Sequence, residues 1–166
     1  MHKVADFIRK LPTFYRSVQQ TTLPIEIISG TAEALFTETY KIRYLVFVEE
    51  QNVPADEEKD EYENICRHYL ATLNSEAVGT ARWRATEKGI KLERVAILIS
   101  ARKKGIGAAM VSQVLIDIKL ANPNTLIYCH AQVSALSFWI SQGFVAEGEI
   151  FYEANIPHYL MKHKAV

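Results

Sequence analysis

Residues 95–110 read Val95-Ala96-Ile97-Leu98-Ile99-Ser100-Ala101-Arg102-Lys103-Lys104-Gly105-Ile106-Gly107-Ala108-Ala109-Met110. The unbroken apolar run from Val95 to Ile99 predicts the end of a strand buried on both faces. A basic turn, Arg102-Lys103-Lys104, follows it, and Gly105 and Gly107 flank the start of a helix. Met110, Val111, Val114, Leu115 and Ile118 share one helical face and Pro123 closes the segment, so Gly105 to Leu120 is predicted helical. The first amides of a helix have no intrahelical acceptor and carry about half a positive charge, which suits them to hold phosphate. Glycines there let a diphosphate approach the main chain.

Outward from this turn, the pattern predicts a strand over Thr125–His130, a helix over Val133–Gln142 ended by Gly143, and strands over Phe144–Tyr152 and His158–Lys162. On the N-terminal side, Arg67–Leu73 and Ala77–Thr86 form a hairpin turning at Asn74-Ser75, and Lys91–Ile99 is the next strand. Glu49 to Glu63 holds eight acidic residues against Lys59 alone and reads as a solvated loop with at most a helical turn. Thr31 to Val48 is predicted helical, Ile25–Ile28 a strand, and Val4–Val18 a helical stripe bent at Pro12. This order of elements is that of an α/β (α+β) layer fold, a mixed sheet flanked by helices.

The chain has 166 residues, 49% hydrophobic and 23% charged, enough for one domain with a full core. Lys plus Arg equals Asp plus Glu at 19 each, which argues against a nucleic-acid partner. Cys66 and Cys129 lie far apart, so no metal site, redox motif or disulfide framework is expected, and both read as buried free thiols. No apolar run approaches a membrane span and the N-terminus shows no signal-like stretch. The expectation is therefore a cytoplasmic protein with no membrane partner.

Two phosphate-binding patterns fail at the turn. The P-loop needs Gly-Lys-Ser/Thr after its first glycine, and the dinucleotide pattern needs Gly or Ala where Met110 stands. What remains, Arg102-x-x-Gly105-x-Gly107, resembles the acetyl-CoA pyrophosphate loop of the GNAT superfamily of N-acetyltransferases. Gln132 to Phe144 resembles that family's Asn-x-x-Ala-x-x-Phe-Tyr-x-x-x-Gly-Phe segment. Val46–Gln51, Val53-Pro54, Asp60-Glu61-Tyr62, Gly79–Arg82, Arg94-Val95-Ala96, His130-Ala131-Gln132 and Ile156-Pro157-His158 are similar to its ElaA-like branch. The resemblance implies a GNAT-like acyl-CoA N-acyltransferase fold over residues 23–166. Residues 1–22 read as an extra N-terminal helical extension, either an interface element of a possible homodimer or a cover for a sheet edge.

The resemblance also implies roles. Arg102, Lys103, Lys104, Gly105, Ile106, Gly107 and Ala108 would hold the pyrophosphate of acetyl-CoA, the co-substrate. Val95, Ala96 and Ile97 would bind its pantetheine arm by their main chain where the strand splays from its neighbour, with an N–H near Ile97 polarising the thioester carbonyl. Gln132 and Trp139 stand at two family positions that face the cofactor. Trp139 replaces a tyrosine that often serves as the acid, and an indole N–H is not a usable acid, so either the thiolate leaves unassisted or another group serves, for which Tyr152 is the candidate. Glu93, His68 and His158 are weighed as the base that takes the amine's proton, with Glu93 and His158 retained. The acidic loop could attract a cationic acceptor, and Arg82 and Arg84, on one side of their strand, could contact an anionic acceptor or the acidic loop, with structural pairing favoured. The expected activity is transfer of acetyl to a small-molecule amine acceptor by direct attack. The alternatives are a catalytically weak CoA-binding sensor or interaction module, and a nucleotide-binding domain with an unusual loop.

Overall fold

The structure is a computed structural model and describes residues 25–164. The stripe expected over Val4–Val18, and with it the 1–22 extension, lies outside the described residues. The elements are β1 (Ile25–Gly30), α1 (Ala32–Arg43), a π-helical turn (Tyr44–Glu50), α2 (Ala55–Glu58), a 3-10 turn (Glu63–Ile65), β2 (Arg67–Leu73), β3 (Glu76–Thr86), β4 (Gly89–Ile97), α3 (Ile106–Ala121), β5 (Ile127–Gln132), α4 (Leu136–Ser141), β6 (Phe144–Glu153) and β7 (Ile156–His163). The strands form one sheet in the order β1-β2-β3-β4-β5-β7-β6, antiparallel except for the β4–β5 pair.

Period-two alternation decides what each sheet face meets. Tyr69, Ala71, Ala81, Leu92, Cys129 and Met161 point to one face, where Met110, Val111, Val114 and Ile118 of α3 pack on them without solvent contact. Leu70 and Ala96 point the other way and meet Ile42 of α1 and Val46 of the π-helical turn. Burial of each such side chain contributes about 1.5–3 kcal/mol. Both cysteines are free and buried as expected, and burial pushes the Cys66 thiol up to about 11. Among the described residues no helix is long and apolar enough to cross a membrane.

Several local expectations need correction. The helix expected over Thr31–Val48 is α-helical only to Arg43 and continues as a π-helical turn; the apolar run Tyr44–Val48 is too short for its periodicity to separate the two. The strand expected to reach Ile99 ends at Ile97, because Ile99–Ala101 winds into a 3-10 turn and leaves Ile99 73% exposed. The helix expected over Val133–Gln142 is a 3-10 turn followed by the short α4.

The β2–β3 hairpin turns where expected, with Asn74 and Ser75 both left-handed (φ 53° and 66°). That is the two-residue turn whose second position favours glycine. Ser75→Gly relieves the strain there and is expected to stabilise the protein by roughly 0.5–1 kcal/mol in urea unfolding.

Two departures from regular pairing shape the site. Thr80 pairs with Ala96 and Arg82 with Glu93, so Arg94 and Val95 bulge opposite Ala81, and Arg94 sits at φ 54°. Strand β4 then pairs with β5 only at Ile90–Ile127 and Lys91–Tyr128. Beyond Lys91 the two parallel strands diverge, and a cleft opens between them.

Candidate active site

The cleft has a volume of about 1010 Å³ and runs from the N-terminus of α3, between β4 and β5, to the sheet face that carries α1. Helix α3 begins when the Ala109 amide donates to the Gly105 carbonyl at 3.0 Å, and no side chain caps it. The amides of Ile106, Gly107 and Ala108 therefore lack helix partners at the cleft wall. Gly105 holds φ 80°, and none of the described residues lies within 4 Å of where a Cβ would stand, which leaves the space over it open among them. Lys103 lines the same end, whereas Lys104 is exposed and outside the lining. Arg102 faces the cleft, but its Nε donates to the Ile97 carbonyl at 2.9 Å and its two terminal nitrogens to Glu50 at 2.7 and 2.6 Å. The bond from Arg102 holds the Glu50 carboxyl below its ordinary value against partial burial.

Val95, Ala96 and Ile97 line the middle of the cleft, where β4 has left β5. The facing wall carries Gln132, whose Nε2 donates to Gln51 Oε1 at 2.7 Å, and Trp139. Trp139 is buried, with Phe138 and Phe144 packed edge-on at 5.4 and 5.0 Å. Its ring is a core element at the cleft wall. Tyr152 is 70% exposed on β6 and does not line the cleft.

The acidic stretch is only in part the solvated loop that its composition suggests: Glu49, Glu50, Asp56, Glu57 and Glu61 are exposed and Ala55–Glu58 makes the expected helical turn, but other acids of the stretch turn inward. Glu58 and Glu63 are buried, and Arg43, itself 1% exposed, donates to both carboxylates, at 2.5 Å to Glu58 and 2.6 Å to Glu63. Arg82 binds Asp60 at 2.5 Å and Glu63 at 2.8 Å, and Arg94 reaches Asp60 at 3.2 Å. Residues 55–65 thus form a strap, tied to α1, β3 and β4 by buried ions. Burial raises the Glu63 and Asp60 carboxyls, but the bonds and charges of Arg43, Arg82 and Arg94 outweigh it and hold both below their ordinary values. His68 lies inside this network, its Nε2 2.9 Å from the Glu63 carbonyl, and is not in the cleft. Burial pushes its pKa down. Glu93 does line the cleft, with Arg84 at 2.9 Å, Arg82 at 3.3 Å and Lys91 at 3.5 Å from its carboxylate.

His158 is buried at the cleft wall beside Gln132, its partner across β5–β7. Its Nδ1 lies 2.8 Å from the Ile156 carbonyl. A carbonyl can only accept, so that hydrogen bond assigns the proton to Nδ1, and among the described residues the Nε2 lone pair has no partner. Phe151 stacks on the imidazole at 5.9 Å and meets His130 edge-on at 4.9 Å. His130 Nδ1 donates to Glu153 at 2.7 Å, and this bond holds the Glu153 carboxyl below its ordinary value. The His130–Glu153 pair is a site feature that sequence reasoning missed; Arg84, for which an anionic acceptor was the less favoured reading, lines the cleft. The signal for His130 was its place two residues before Gln132; nothing in the sequence pairs it with Glu153. Among the described residues no group of three His, Cys, Asp or Glu side chains converges on a metal-sized point.

Comparison with known proteins agrees with this geometry. The Acetyltransferase (GNAT) domain family matches residues 36–165. YjcF of Bacillus subtilis, named an uncharacterized N-acetyltransferase, is 35% identical over 136 residues, covering 81% of this chain and 96% of its own. The crystal structure of Escherichia coli ElaA superposes with a TM-score of 0.77 at 25% identity, over 85% of this chain and all of its own. A GNAT acetyltransferase from Elizabethkingia anophelis, solved with acetyl-CoA bound, shares the fold with a TM-score of 0.60 at 18% identity, over 83% of this chain and 94% of its own. With a matched domain that spans most of the chain and a cleft formed by diverging strands, this chain belongs to the GNAT acetyltransferase family.

Proposed function

We propose that the protein transfers acetyl from acetyl-CoA to the nitrogen of a small amine. The observation that carries this reading is one continuous cleft, with an uncapped helix N-terminus at one end and the unpaired edge of β4 in the middle. The residues fit the coenzyme. The amides of Ile106, Gly107 and Ala108 and the open space over Gly105 suit its diphosphate. The free edge of Val95–Ile97 suits its amide-bearing arm, which would pair there as an added strand does. Arg102 turns from Glu50 toward the phosphates when they arrive, because a phosphate offers it more charge than a half-exposed carboxylate.

An N–H of the free β4 edge near Ile97 stabilises the charge that develops on the thioester oxygen, a contribution of about 3–4 kcal/mol for a donor of this kind. The amine's lone pair forms the C–N bond, the C–S bond breaks, and the electron pair leaves on sulfur. A thiol of ordinary pKa near about 8.5 leaves as thiolate without an acid, in keeping with Trp139 at the tyrosine position and Tyr152 outside the cleft. His158 takes the first ammonium proton on Nε2, and the second, lost from nitrogen once the C–N bond has formed, goes to the departed thiolate. His158 suits the first transfer better than Glu93, whose carboxylate is already shared by three cations.

A thermal-shift series tests the reading. Acetyl-CoA at about a hundredfold excess over its Kd is expected to stabilise by about 2.7 kcal/mol and raise Tm by roughly 5–10 °C. Stabilisation by ATP or a dinucleotide and none by acetyl-CoA would overturn it. His158→Gln is expected to lower kcat by about 10²–10⁴-fold with the acetyl-CoA shift retained; an unchanged kcat moves the base elsewhere.

A further inference from the structure

We infer that the acceptor amine carries a carboxylate, gripped by Arg84 with Lys91 beside it. The inference rests on the acetyltransferase reading and adds the class of acceptor. Arg84 and Lys91 pair across β3 and β4, and so project from the same sheet face. Each side chain is 16% exposed, and among the described residues each has Glu93 as its one ion-pair partner. Two cations thus share one carboxylate, which Arg82 also approaches at 3.3 Å. Glu153, a further carboxylate of the cleft, is engaged by His130. Neither Arg84 nor Lys91 has an ion-pair partner of its own among the described residues, and both stand in a place largely removed from water.

The guanidinium is also held for a ligand. Its Nε donates to Glu93 at 2.9 Å, and its carbon stands 3.8 Å from the centroid of the Tyr62 ring on the strap. Glu93 and Tyr62 fix the plane of the group while the two terminal nitrogens, which have no protein acceptor among the described residues, remain free at the cleft wall. A planar fork fixed in this way matches the two oxygens of a carboxylate. Glu93 and Tyr62 are on this account positioning residues.

The register places this grip relative to the reacting nitrogen. Lys91 is level with Tyr128 on β5, and Gln132, the partner of His158, lies four residues further along the same face. Four residues of strand span about 13 Å, and the long side chains of Arg84 and Lys91 cover part of it. A compact molecule with an amine at one end and a carboxylate at the other bridges what is left. A neutral amine would leave the Arg84 fork and Lys91 unanswered.

The test is a set of matched acceptors: amino acids with one to five carbons between amine and carboxylate, each beside its carboxamide and its decarboxylated amine. Thiol release is followed at saturating acetyl-CoA. At least one amino acid is expected to exceed both partners by roughly 10- to 100-fold in kcat/KM, chiefly through KM. Arg84→Gln is expected to bring that ratio close to one, and Lys91→Gln to lower it in part, each with the acetyl-CoA thermal shift retained as the control for folding. Equal use of the neutral partners, or a preference untouched by both variants, overturns the inference. If no amine is acetylated although acetyl-CoA binds, the enzymatic reading fails first. The carboxylate grip is then decided by whether N-acetylated amino acids raise Tm and Arg84→Gln removes that rise; no rise overturns it too.

Discussion

Gly107→Val is expected to abolish the thermal stabilisation by acetyl-CoA and leave the unliganded protein folded. A Cβ at position 107 would stand 3.4 Å from Phe138 Cε2 and 3.7 Å from Ile97 Cγ1, ordinary contact distances, so the backbone itself is not at risk. Phe138 and Ile97 are walls of the cleft, however, and the two methyls of valine beyond that Cβ must enter the passage between them. They would cover the Gly107 amide and narrow the way from the α3 turn to the β4 edge. A hundredfold loss of affinity corresponds to about 2.7 kcal/mol, which is the whole shift expected at the working concentration. Differential scanning fluorimetry with and without acetyl-CoA reads both outcomes. A full shift retained by the variant would remove the coenzyme from this turn.

Arg43→Met is expected to destabilise the protein by about 3–5 kcal/mol, because it strands carboxylates that the fold has already taken out of water. Glu58 is 1% exposed and has Arg43 at 2.5 Å; its other cation, Arg94, is 3.6 Å away. With Arg43 gone, Glu58 must stay charged without a close partner or take up a proton, and either choice costs the folded state. Tm should fall by roughly 10 °C. The double variant Arg43→Met/Glu58→Leu is expected to recover part of the loss, since both halves of the close pair are then apolar. A single variant that unfolds within about 1 kcal/mol of the parent in urea would show that the strap is not held by these ions.

The same network sets a pH dependence. Glu63 and Asp60 titrate below their ordinary values in the folded protein, so their stabilisation is complete above the unfolded range near pH 4 and is lost as pH falls through the depressed folded values. His68 adds to this from a higher pH. Its folded pKa is lowered by burial, so below about 6.5 the unfolded chain binds the proton first and stability declines. Urea midpoints measured from pH 7 to pH 3 should therefore fall in two stages; a midpoint that rises on acidification would contradict both assignments.

The local signals that could be read from the chain were those carried by periodicity and by residues with unusual backbone freedom. The helical face of Met110, Val111, Val114 and Ile118, the turn at Asn74-Ser75 and the glycines at 105 and 107 each depend on neighbours a few positions away, and each was found where the sequence placed it. The limits of the elements were less legible. Whether Tyr44–Glu50 winds as an α- or a π-helix, and whether Leu98-Ile99 extends β4, depends on what those side chains pack against.

Charge was the least legible property. Eight acids in fifteen residues read as a hydrated loop, because composition carries no information on partners 15 to 36 positions distant. Folding brings Arg43, Arg82 and Arg94 to Glu58, Asp60 and Glu63 and ties that otherwise exposed segment down as a strap. Glu93 illustrates the same point at the site: its strand position allowed a base, and three cations from β3 and β4 instead share its carboxylate. By itself, then, the sequence determined the fold class, the family and the glycine turn that opens α3, since all three rest on patterns local to each segment. The cleft, the Nε2 of His158, the His130–Glu153 pair and the half-satisfied Arg84 were decided by the tertiary structure, because each needs strands far apart in the chain to diverge or to meet.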